Sequence, residues 1–313
     1  MNKSNVKNLT EFLSQSFPTQ REFCGKWVRS GELVMIYAPR GTGKSLFCSS
    51  VAHTIATGQP FLGFKTLESK VLIVDGETSD RLNAKRYGQI DDSAAISAAP
   101  DKLQIWSRDP GGYLPNLSTE SGQKELTPAM MWADVTIIDN LLTVAPLVDI
   151  KDNDIHNWYR IKPFIYKLRN LDKCIILIHH AGKSGTQIGT SLKENDMDII
   201  IRLTNPPFHE NLKQLAMYFD FDKARDLFGN DKEGLYLTYE TIDGKIQWTY
   251  QKSKERLREE VLRLHSFVKS KWQIAKMLHC DVLKVHEILT ELKPNSEIDT
   301  AEYYGGFDEE PPF

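Results

Sequence analysis

The stretch from residue 33 to residue 52 restricts the possible folds of this 313-residue chain more than any other. An apolar run at 33–37 is followed by Ala38-Pro39-Arg40-Gly41-Thr42-Gly43-Lys44-Ser45 and then by an apolar run typical of a helix. Glycines at 41 and 43 allow the backbone to curl, so that successive N–H groups and the helix N-terminus face one anion. Lys44 can reach the outer phosphates of a nucleotide, and Ser45 can coordinate Mg²⁺. The stretch predicts a strand, a phosphate-binding loop and a helix that together bind a nucleoside triphosphate.

This loop departs from the usual phosphate-binding pattern at its first position, where Ala38 replaces glycine. The residues that contact phosphate in the pattern are unchanged. An ordinary glycine-rich turn followed by a chance Lys-Ser pair is the alternative. We favour nucleotide binding because both the preceding strand and the following helix are predicted.

Length and composition allow one large α/β domain and a smaller module. No apolar stretch is long enough to cross a membrane, and the N-terminus lacks the apolar core of a signal peptide. We therefore expect a cytoplasmic protein without a membrane partner. Cys24, Cys48, Cys174 and Cys280 have no short paired spacing, so buried thiols are expected in preference to disulfides or metal ligands.

The order of apolar runs predicts the fold class. Up to residue 180, continuously apolar strands alternate with helices, which is typical of a parallel sheet covered on both faces. From residue 197 onward, strands at about 198–203, 215–221, 235–239 and 246–250 follow one another without helices. We expect these to extend the sheet in antiparallel fashion. The prediction is an α/β protein with a mainly parallel sheet, extended by antiparallel strands, plus a small all-α helix-turn-helix domain.

Two predicted strands end in carboxylates where catalytic groups of open α/β sheets gather. Asp139 follows the apolar run 135–138 and is the candidate that holds Mg²⁺ through its water shell. Glu77 follows the apolar run 71–74 and is the candidate base that orients water. Asp75, in the same segment, is also suited to cap the next helix.

A third strand closes in two histidines, His179 and His180. Either is suited to contact the γ-phosphate of a nucleotide or to respond to its loss. Adjacent strand residues point to opposite faces, so only one of them can face the nucleotide. Which one does so stays open, and a core pair without a role in hydrolysis is the alternative.

These segments, in their order along the chain, resemble a known family. They are similar to RecA-like ATPases of the RepA type, the hexameric replicative helicases of plasmids and phages. The segments that show the similarity are residues 33–45, 71–77 and 135–140, the run His179-His180-Ala181-Gly182-Lys183, Gly189-Thr190-Ser191 and Phe221-Asp222-Lys223-Ala224-Arg225. The similarity covers residues from about 27 to 250. It implies that Lys44 and Ser45 bind ATP and Mg²⁺, that Glu77 is the catalytic glutamate and that Asp139 is the metal-associated aspartate. It also implies a homo-oligomer, expected to be a hexamer, with ATP between subunits.

The same resemblance implies that Lys223 and Arg225 act in the ATP site of a neighbouring subunit. Their i, i+2 spacing puts both on one face if the strand continues, and a guanidinium suits bidentate phosphate contact. A salt-bridged surface pair is the alternative.

The loops after Asp139 and His180 correspond to the places where RecA-like rings bind single-stranded DNA. In the second loop, Lys183, Gly189 and Thr190 are the candidate phosphate contacts. Relatives usually carry an arginine where this chain has Ile188, which weakens the expected contact.

Residues 252–293 are rich in Lys and Arg and predict a helix-turn-helix, with helices at 272–278 and 282–289. Asp281 is expected to cap the second helix. Lys284 on that helix is the candidate contact to duplex DNA. A packing or oligomerisation role is the alternative, because few side chains on the second helix are suited to reading bases.

Residues 294–313 form an acidic tail that ends in Pro-Pro-Phe and resembles the C-terminal tip of bacterial single-stranded-DNA-binding proteins. Phe313 and the acidic run are expected to bind replication proteins or to cover the chain's own DNA groove. A disordered end without a partner is the alternative. The predicted limits are 1–26 for a lead-in, 27–251 for the ATPase domain, 252–293 for the helix-turn-helix module and 294–313 for the tail.

The sequence therefore favours an ATP-hydrolysing oligomeric helicase that acts on single-stranded DNA in the replication of a plasmid, phage or integrated element. One alternative is a RecA-like ATPase that loads or regulates other proteins without unwinding DNA. Another is a DNA-binding regulator in which the ATPase is a switch.

Overall fold

The computed structural model describes residues 6–90, 101–108, 111–147, 154–181, 191–207, 215–268 and 270–291. The chain divides into two compact units; the first ends at Lys252 and the second begins at Ser253. The predicted DNA contacts Lys183, Gly189 and Thr190 and the tail residue Phe313 lie outside the described residues. Within the described residues, no helix is both long and apolar enough to span a membrane.

The first unit alternates strands and helices over most of its length. Its described helices are α1 (Leu9–Leu13), α2 (Lys44–Thr57), α3 (Asp80–Ile90), α4 (Glu120–Trp132), α5 (Leu141–Val144), α6 (Asp154–Arg169) and α7 (Ser191–Asp196). Its described strands are β1 (Glu22–Cys24), β2 (Val28–Arg29), β3 (Leu33–Ala38), β4 (Val71–Asp75), β5 (Leu103–Ser107), β6 (Val135–Asp139), β7 (Cys174–His180), β8 (Ile199–Thr204), β9 (Leu215–Ala224), β10 (Leu235–Ile242) and β11 (Lys245–Lys252).

The main sheet has the strand order β11-β10-β9-β8-β3-β7-β6-β4-β5. The strands from β8 to β5 in this order pair in parallel, whereas β8–β9, β9–β10 and β10–β11 pair in antiparallel fashion. The predicted α/β fold class, a mainly parallel sheet extended by antiparallel strands, is thus confirmed for this unit. Strand β7 separates β3, which leads into the phosphate-binding loop, from β6, which ends in Asp139.

The expectation that every strand after residue 197 is antiparallel to its neighbours is wrong for β8. This strand pairs in parallel with β3, with Ile199 opposite Val34, and in antiparallel fashion only with β9. Helix α7 lies between β7 and β8 in the chain, and parallel strands need such a crossover. Its sequence, Ser-Leu-Lys-Glu-Asn-Asp, has no apolar periodicity, so the sequence pattern did not reveal it.

Side chains of the parallel strands alternate between two apolar layers. Val34, Ile36 and Ala38 of β3 pack in the layer that contains α2, whereas Leu33 and Met35 pack in the layer that contains α4 and α6. This alternation follows from the period of two along a strand. It sets which strand-end residues face α2, and therefore which ones face the phosphate-binding loop at its start.

The N-terminal segment includes an element that the sequence analysis did not identify. β1 and β2 pair as a small antiparallel sheet, and Trp27 between them is 1 % exposed. Its ring lies 6.4 Å from that of Phe47 on α2 and 5.6 Å from that of Phe219 on β9. This hairpin therefore packs against α2, the helix that begins at Lys44.

The second unit contains α8 (Ser253–His265), α9 (Lys271–Leu278) and α10 (Val282–Thr290) among its described residues. The helices pack around a small core formed by Val261, Leu264, Ile274, Ala275, Val285 and Leu289. Asp281 is the N-cap of α10, as predicted, with its carboxylate accepting from the Leu283 amide at 2.9 Å. His279 ends α9 at φ 49°, in the left-handed region where glycine is usual. The DNA-binding role of this helix pair stays a prediction.

Candidate functional site

The loop between β3 and α2 has the geometry of an anion site. Gly41 and Gly43 have φ of 82° and 92°, values that favour glycine. A Cβ on Gly43 would also lie 3.1 Å from the Met217 side chain. No side chain caps the N-terminus of α2 among the described residues, so its first N–H groups are available to a ligand. Ala38 is fully buried at the end of β3, whereas Arg40 is exposed at the tip of the loop.

Thr42 stabilises this loop, because its hydroxyl donates to the Pro39 carbonyl at 3.0 Å. Lys44 lies beneath the loop and is only 6 % exposed. Its Nζ lies 3.3 Å from the His179 carbonyl oxygen and 3.0 Å from His180 Nδ1. Burial lowers the pKa of Lys44, although the Asp139 carboxylate nearby opposes that shift. The predicted phosphate-binding lysine is thus held in place by the end of β7.

Strand pairing brings the predicted strand-end residues together. Asp75 of β4 lies opposite Asp139 of β6 in the register, and β7 is the next strand. The preceding residues on the same face, Ile73 and Ile137, pack in the α2 layer, so both carboxylates lie on that face. By the same alternation, His180 shares the α2 face, whereas His179 points the other way.

Asp139 is 4 % exposed, and its Oδ1 has no hydrogen-bond partner among the described residues. Burial raises its pKa to about 6, and the Asp75 carboxylate adds to the rise. A hydrogen bond from the Ser45 hydroxyl and the charge of Lys44 both oppose the rise. A buried carboxylate with a free oxygen, in contact with Ser45, is a donor set that suits Mg²⁺ bound together with phosphate.

Among the described residues, no cluster of three or more His, Cys, Asp or Glu forms a metal site made by protein alone. Mg²⁺ in phosphate sites commonly has one or two protein ligands, with phosphate and water supplying the rest. Ser45 and Asp139 fit that smaller role.

Glu77 lies at the mouth of the site, with its side chain 48 % exposed. Its Oε2 accepts a hydrogen bond of 2.6 Å from Asn140 Nδ2. The Asn140 side chain is itself oriented by α5, because its Oδ1 accepts from the Thr143 amide at 3.1 Å. An exposed carboxylate fixed by a buried amide is well placed to bind and orient a water molecule.

His180 lies between the phosphate-binding lysine, Lys44, and the candidate water-orienting carboxylate, Glu77. Its Nδ1 faces Lys44 Nζ at 3.0 Å, and its Nε2 lies 3.0 Å from Asn140 Nδ2 and 3.4 Å from Glu77 Oε2. Lys44 Nζ is only a donor, so Nδ1 accepts from it, and the proton of the neutral ring lies on Nε2, on the side of the Glu77 carboxylate. Burial first, and then the charge of Lys44, lower the pKa of His180.

The structure places the two histidine side chains on opposite faces of the sheet. His180 lies between Lys44, Asn140 and Glu77, whereas the His179 side chain is buried on the opposite face at 1 % exposure. His179 contributes its carbonyl oxygen to Lys44, and its Nδ1 accepts from the His180 amide at 3.0 Å.

Asp75 stabilises the turn that presents Glu77. Its Oδ1 accepts from the Glu77 and Thr78 amides at 2.9 and 2.8 Å, and its Oδ2 accepts from Asn83 Nδ2 at 2.9 Å. The suggestion that Asp75 caps the following helix is wrong in detail, because α3 begins after Ser79, whose hydroxyl accepts from its first turn. Asp75 instead bonds the amides of the loop before that helix.

Lys223 and Arg225 both contact the C-terminal end of α7. Lys223 Nζ donates to the Glu194 carbonyl at 2.6 Å, and Arg225 Nη2 donates to the Asn195 carbonyl at 3.0 Å. Arg225 Nη1 also pairs with Asp198 at 3.1 Å. Arg225 therefore has an ion pair within the chain, whereas the printed partners of Lys223 are backbone carbonyls.

Arg225 is remote from the chain's own phosphate loop. The Arg225 amide bonds the Asp198 carbonyl, and the Asp198 amide bonds the carbonyl of Leu33, the first residue of β3. The loop follows the other end of β3, about 17 Å away along an extended strand. Within one chain, Arg225 cannot act on a nucleotide bound at Lys44, so its action in a neighbouring site stays a prediction.

Lys284 is exposed on α10, and Asp281, Val282 and Leu283 are exposed beside it. Lys284 is thus the single cation on the exposed turn 281–284, where it lies beside one acidic and two apolar side chains. The structure therefore places Lys284 at the surface but gives it few companions suited to duplex DNA.

Asn140 is the site residue that sequence reasoning did not assign. It follows Asp139 directly, and its signal is that of a helix N-cap, confirmed by the capping box with Thr143. The cap orients the amide so that Nδ2 points at Glu77 and His180. The contacts of Nδ2 with Glu77 and His180 depend on strands that are distant in sequence, and no local pattern predicts them.

Comparisons with known proteins give the family and the fold. A family model described as an AAA domain, AAA_25, matches residues 2–186, more than half of the chain. A search of curated proteins returned no match. Among solved structures, the flagellar accessory protein FlaH from Methanocaldococcus jannaschii is 14 % identical with a TM-score of 0.47, over 70 % of this chain and 90 % of that one. A KaiC-like protein from Pyrococcus horikoshii OT3 is 16 % identical with a TM-score of 0.51, over 71 % of this chain and 91 % of that one. The latter likeness shows a shared RecA-like fold.

Proposed function

Because the chain belongs to the AAA domain family AAA_25, we propose that it is an oligomeric, ATP-driven motor on single-stranded DNA, of the RepA-like replicative helicase kind. That it is a RecA-like P-loop ATPase follows from the family and the fold. One observation carries the step to hydrolysis, namely the contacts that join Lys44, His180, Asn140 and Glu77 beside Asp139. The proposed location is the cytoplasm.

The residues of this cluster have separable tasks. The amides of the loop and Lys44 bind the phosphates of ATP, and Ser45 and Asp139 hold Mg²⁺, which when bound neutralises phosphate charge. Glu77 orients a water molecule for attack, with its position set by Asn140. His180, kept neutral, joins the lysine at the phosphates to the carboxylate at the water.

The remainder of the proposal concerns assembly and DNA. The resemblance to RepA-type rings supports a hexamer in which Lys223 and Arg225 reach the ATP site of the adjacent subunit. The position of Arg225, remote from its own Lys44, supports action in another subunit over action in its own. Lys183, Gly189 and Thr190 are the proposed contacts to single-stranded DNA.

The hydrolysis step is tested with two variants of the full chain. Lys44→Ala is expected to abolish ATP binding, whereas Glu77→Gln is expected to retain binding and to lose turnover by at least about 100-fold. Binding is measured with a fluorescent ATP analogue and turnover by phosphate release. Wild-type turnover in the Glu77→Gln variant would contradict the assignment of the base.

The motor function is tested on a forked duplex. Strand separation that requires ATP, Lys44 and Glu77 supports the helicase. Hydrolysis stimulated by single-stranded DNA without strand separation supports the second candidate, a DNA-binding ATPase that loads or regulates other proteins. The intrachain contacts of Lys223 and Arg225 favour that second candidate, since they already occupy both cations.

The acidic tail carries a separate proposal for a partner. Phe313 and the acidic residues before it are proposed to bind replication proteins that recognise such tips, or the DNA groove of this chain. Deletion of residues 308–313 is expected to weaken capture of such proteins or to raise intrinsic DNA affinity. If the deletion changes neither protein capture nor DNA affinity, the tail binds neither replication proteins nor the DNA groove of this chain.

A further inference from the structure

Helix α9 of the second unit presents an exposed aromatic and cationic face. All six tryptophans lie within the described residues, and Trp272 is the only one of them that is exposed, with 60 % of its surface accessible to solvent. Lys276, one turn later, places its Nζ 5.4 Å from the centroid of the Trp272 ring. Gln273, next to Trp272, is also exposed. An indole, an amide and an ammonium are thus presented together to solvent.

The charge of this face is not neutralised as it is on the neighbouring helix. On α8, Arg256 and Arg263 both pair with Glu260, and Arg258 pairs with Glu291 at 3.0 Å. Helix α9 contains two lysines and no acidic residue. No carboxylate pairs with Lys276 among the described residues. Lys276 on α9 is therefore available to an anionic ligand.

The exposed start of α10 is less suited to nucleic acid. Asp281 and Lys284 compensate each other in charge there, and Val282 and Leu283 lie between them. A helix that reads a duplex needs donors and acceptors that reach base edges in the major groove. A single exposed indole cannot enter stacked duplex DNA without unstacking it. The indole can stack against a base of a single strand without first disrupting a duplex.

We propose that the α9 face, defined by Trp272, Gln273 and Lys276, binds single-stranded DNA. One face of the indole is occupied by the Lys276 ammonium, and the other is the stacking platform for a base. The lysine also neutralises an adjacent phosphate, and Gln273 supplies a polar contact. This surface goes beyond the proposed function, because it lies outside the ATPase unit and outside the helix to which duplex binding was assigned.

The first test measures affinity of the full chain for a fluorescent oligo(dT) by anisotropy, without nucleotide. Trp272→Ala is expected to weaken binding by about 5- to 150-fold, the range for loss of one stacked base. Trp272→Phe is expected to retain most of the affinity. Phe267→Ala, which removes an equally exposed aromatic (61 %) in the same unit, is the matched control and is expected to leave affinity unchanged.

A second measurement distinguishes base stacking from nonspecific binding. Oligo(dT) is expected to quench tryptophan fluorescence, and Trp272→Phe is expected to abolish that quenching while DNA still binds. Lys276→Gln is expected to reduce the slope of log affinity against log salt by about one. Because no ATP is present, these results do not depend on hydrolysis, and failure of the ATPase proposal would not imitate them.

Three outcomes would overturn the proposal. These are unchanged oligo(dT) affinity in the folded Trp272→Ala variant, an equal loss for duplex DNA of the same length, or an equal loss in Phe267→Ala. The second outcome would assign the surface to duplex DNA, and the third would indicate a nonspecific apolar effect.

Discussion

At the scale of single residues, the site depends on polar groups that are buried and yet paired. Asn140 is 2 % exposed and offers one amide nitrogen to Glu77, while its oxygen caps α5. A buried amide with both ends engaged has one orientation, so the carboxylate it binds is fixed as well. Positioning of this kind affects turnover more than substrate binding.

We expect Asn140→Ala to lower kcat by about 10- to 100-fold with little change in KM, because Glu77 loses the group that fixes it. Steady-state ATP hydrolysis measures both constants. Thr143→Ala is the matched control, since it removes the hydroxyl that accepts from the Asn140 amide in the capping box and leaves the bond between Asn140 and Glu77. If the two variants lose turnover equally, the loss of the bond from Asn140 to Glu77 does not account for the effect.

Asp139 provides a prediction about pH. Its pKa in the folded protein, about 6, lies above its ordinary value of 3.8, so the folded state binds this proton more tightly than the unfolded state. Its contribution to the free energy of unfolding therefore falls as pH rises from about 4 to about 6. Above that range a charged, buried Asp139 costs about 2–3 kcal/mol in the protein without nucleotide.

Asp139→Asn is accordingly expected to raise the melting temperature of the nucleotide-free protein at about pH 7.5, by an amount that shrinks toward pH 4. Thermal unfolding followed across this range is the measurement. Glu77→Gln, at a half-exposed carboxylate, should leave the melting temperature nearly constant. A variant at position 139 that is less stable than wild type at neutral pH would contradict the assigned shift.

At the scale of elements, Asp198 joins three segments of the first unit. Its carboxylate accepts from Arg169 of α6 at 3.0 Å, from Arg225 after β9 at 3.1 Å and from the Leu33 amide of β3 at 3.0 Å. The side chain is 5 % exposed, so its partners have no ready replacement in water. The starts of β3 and β8 and the end of β9 are thus held by one group.

Asp198→Ala is expected to lower the free energy of unfolding by about 2–4 kcal/mol, because a backbone amide and two guanidinium groups lose their acceptor. Urea unfolding of the variant measures the change. Asp101→Ala, at an exposed carboxylate in the same unit, should stay within about 0.5 kcal/mol of wild type. A loss of that small size for Asp198→Ala would mean that water replaces the carboxylate.

At the scale of the whole molecule, the proposed mechanism shares each ATP site between two copies of the chain. Arg225 lies at the far end of β3 from Lys44, so in that proposal a second copy supplies this cation. Mixing Arg225→Ala with Glu77→Gln subunits is then expected to restore part of the ATPase activity that each lacks alone, because some mixed interfaces contain both wild-type groups. Activity is measured against subunit ratio.

The control for this experiment is Arg169→Ala, which breaks the other ion pair of Asp198 and leaves Arg225 in place. If Arg225→Ala and Arg169→Ala reduce activity alike and mixing restores nothing, Arg225 is a structural residue. Full activity of a wild-type protein that stays monomeric at all concentrations would lead to the same conclusion.

Local patterns determined the parts of this protein that depend on neighbours in sequence. The loop residues Gly41 to Ser45, the apolar strands that end in Asp139 and His180, and the cap at Asp281 all follow from spacing, periodicity or backbone preference. These are interactions within a few residues, and a single sequence contains them completely. The fold class follows from the same patterns, since buried strands alternating with helices have few other arrangements.

Tertiary structure alone decided which residues meet. The parallel direction of β8, the choice of His180 over His179 and the contact of Asn140 with Glu77 each depend on which strand lies beside which and which face α2 covers. The bond between Asn140 and Glu77 joins residues 63 positions apart. Such pairings are set by packing of the whole sheet, whose free energy is shared among many side chains and is not contained in any one segment.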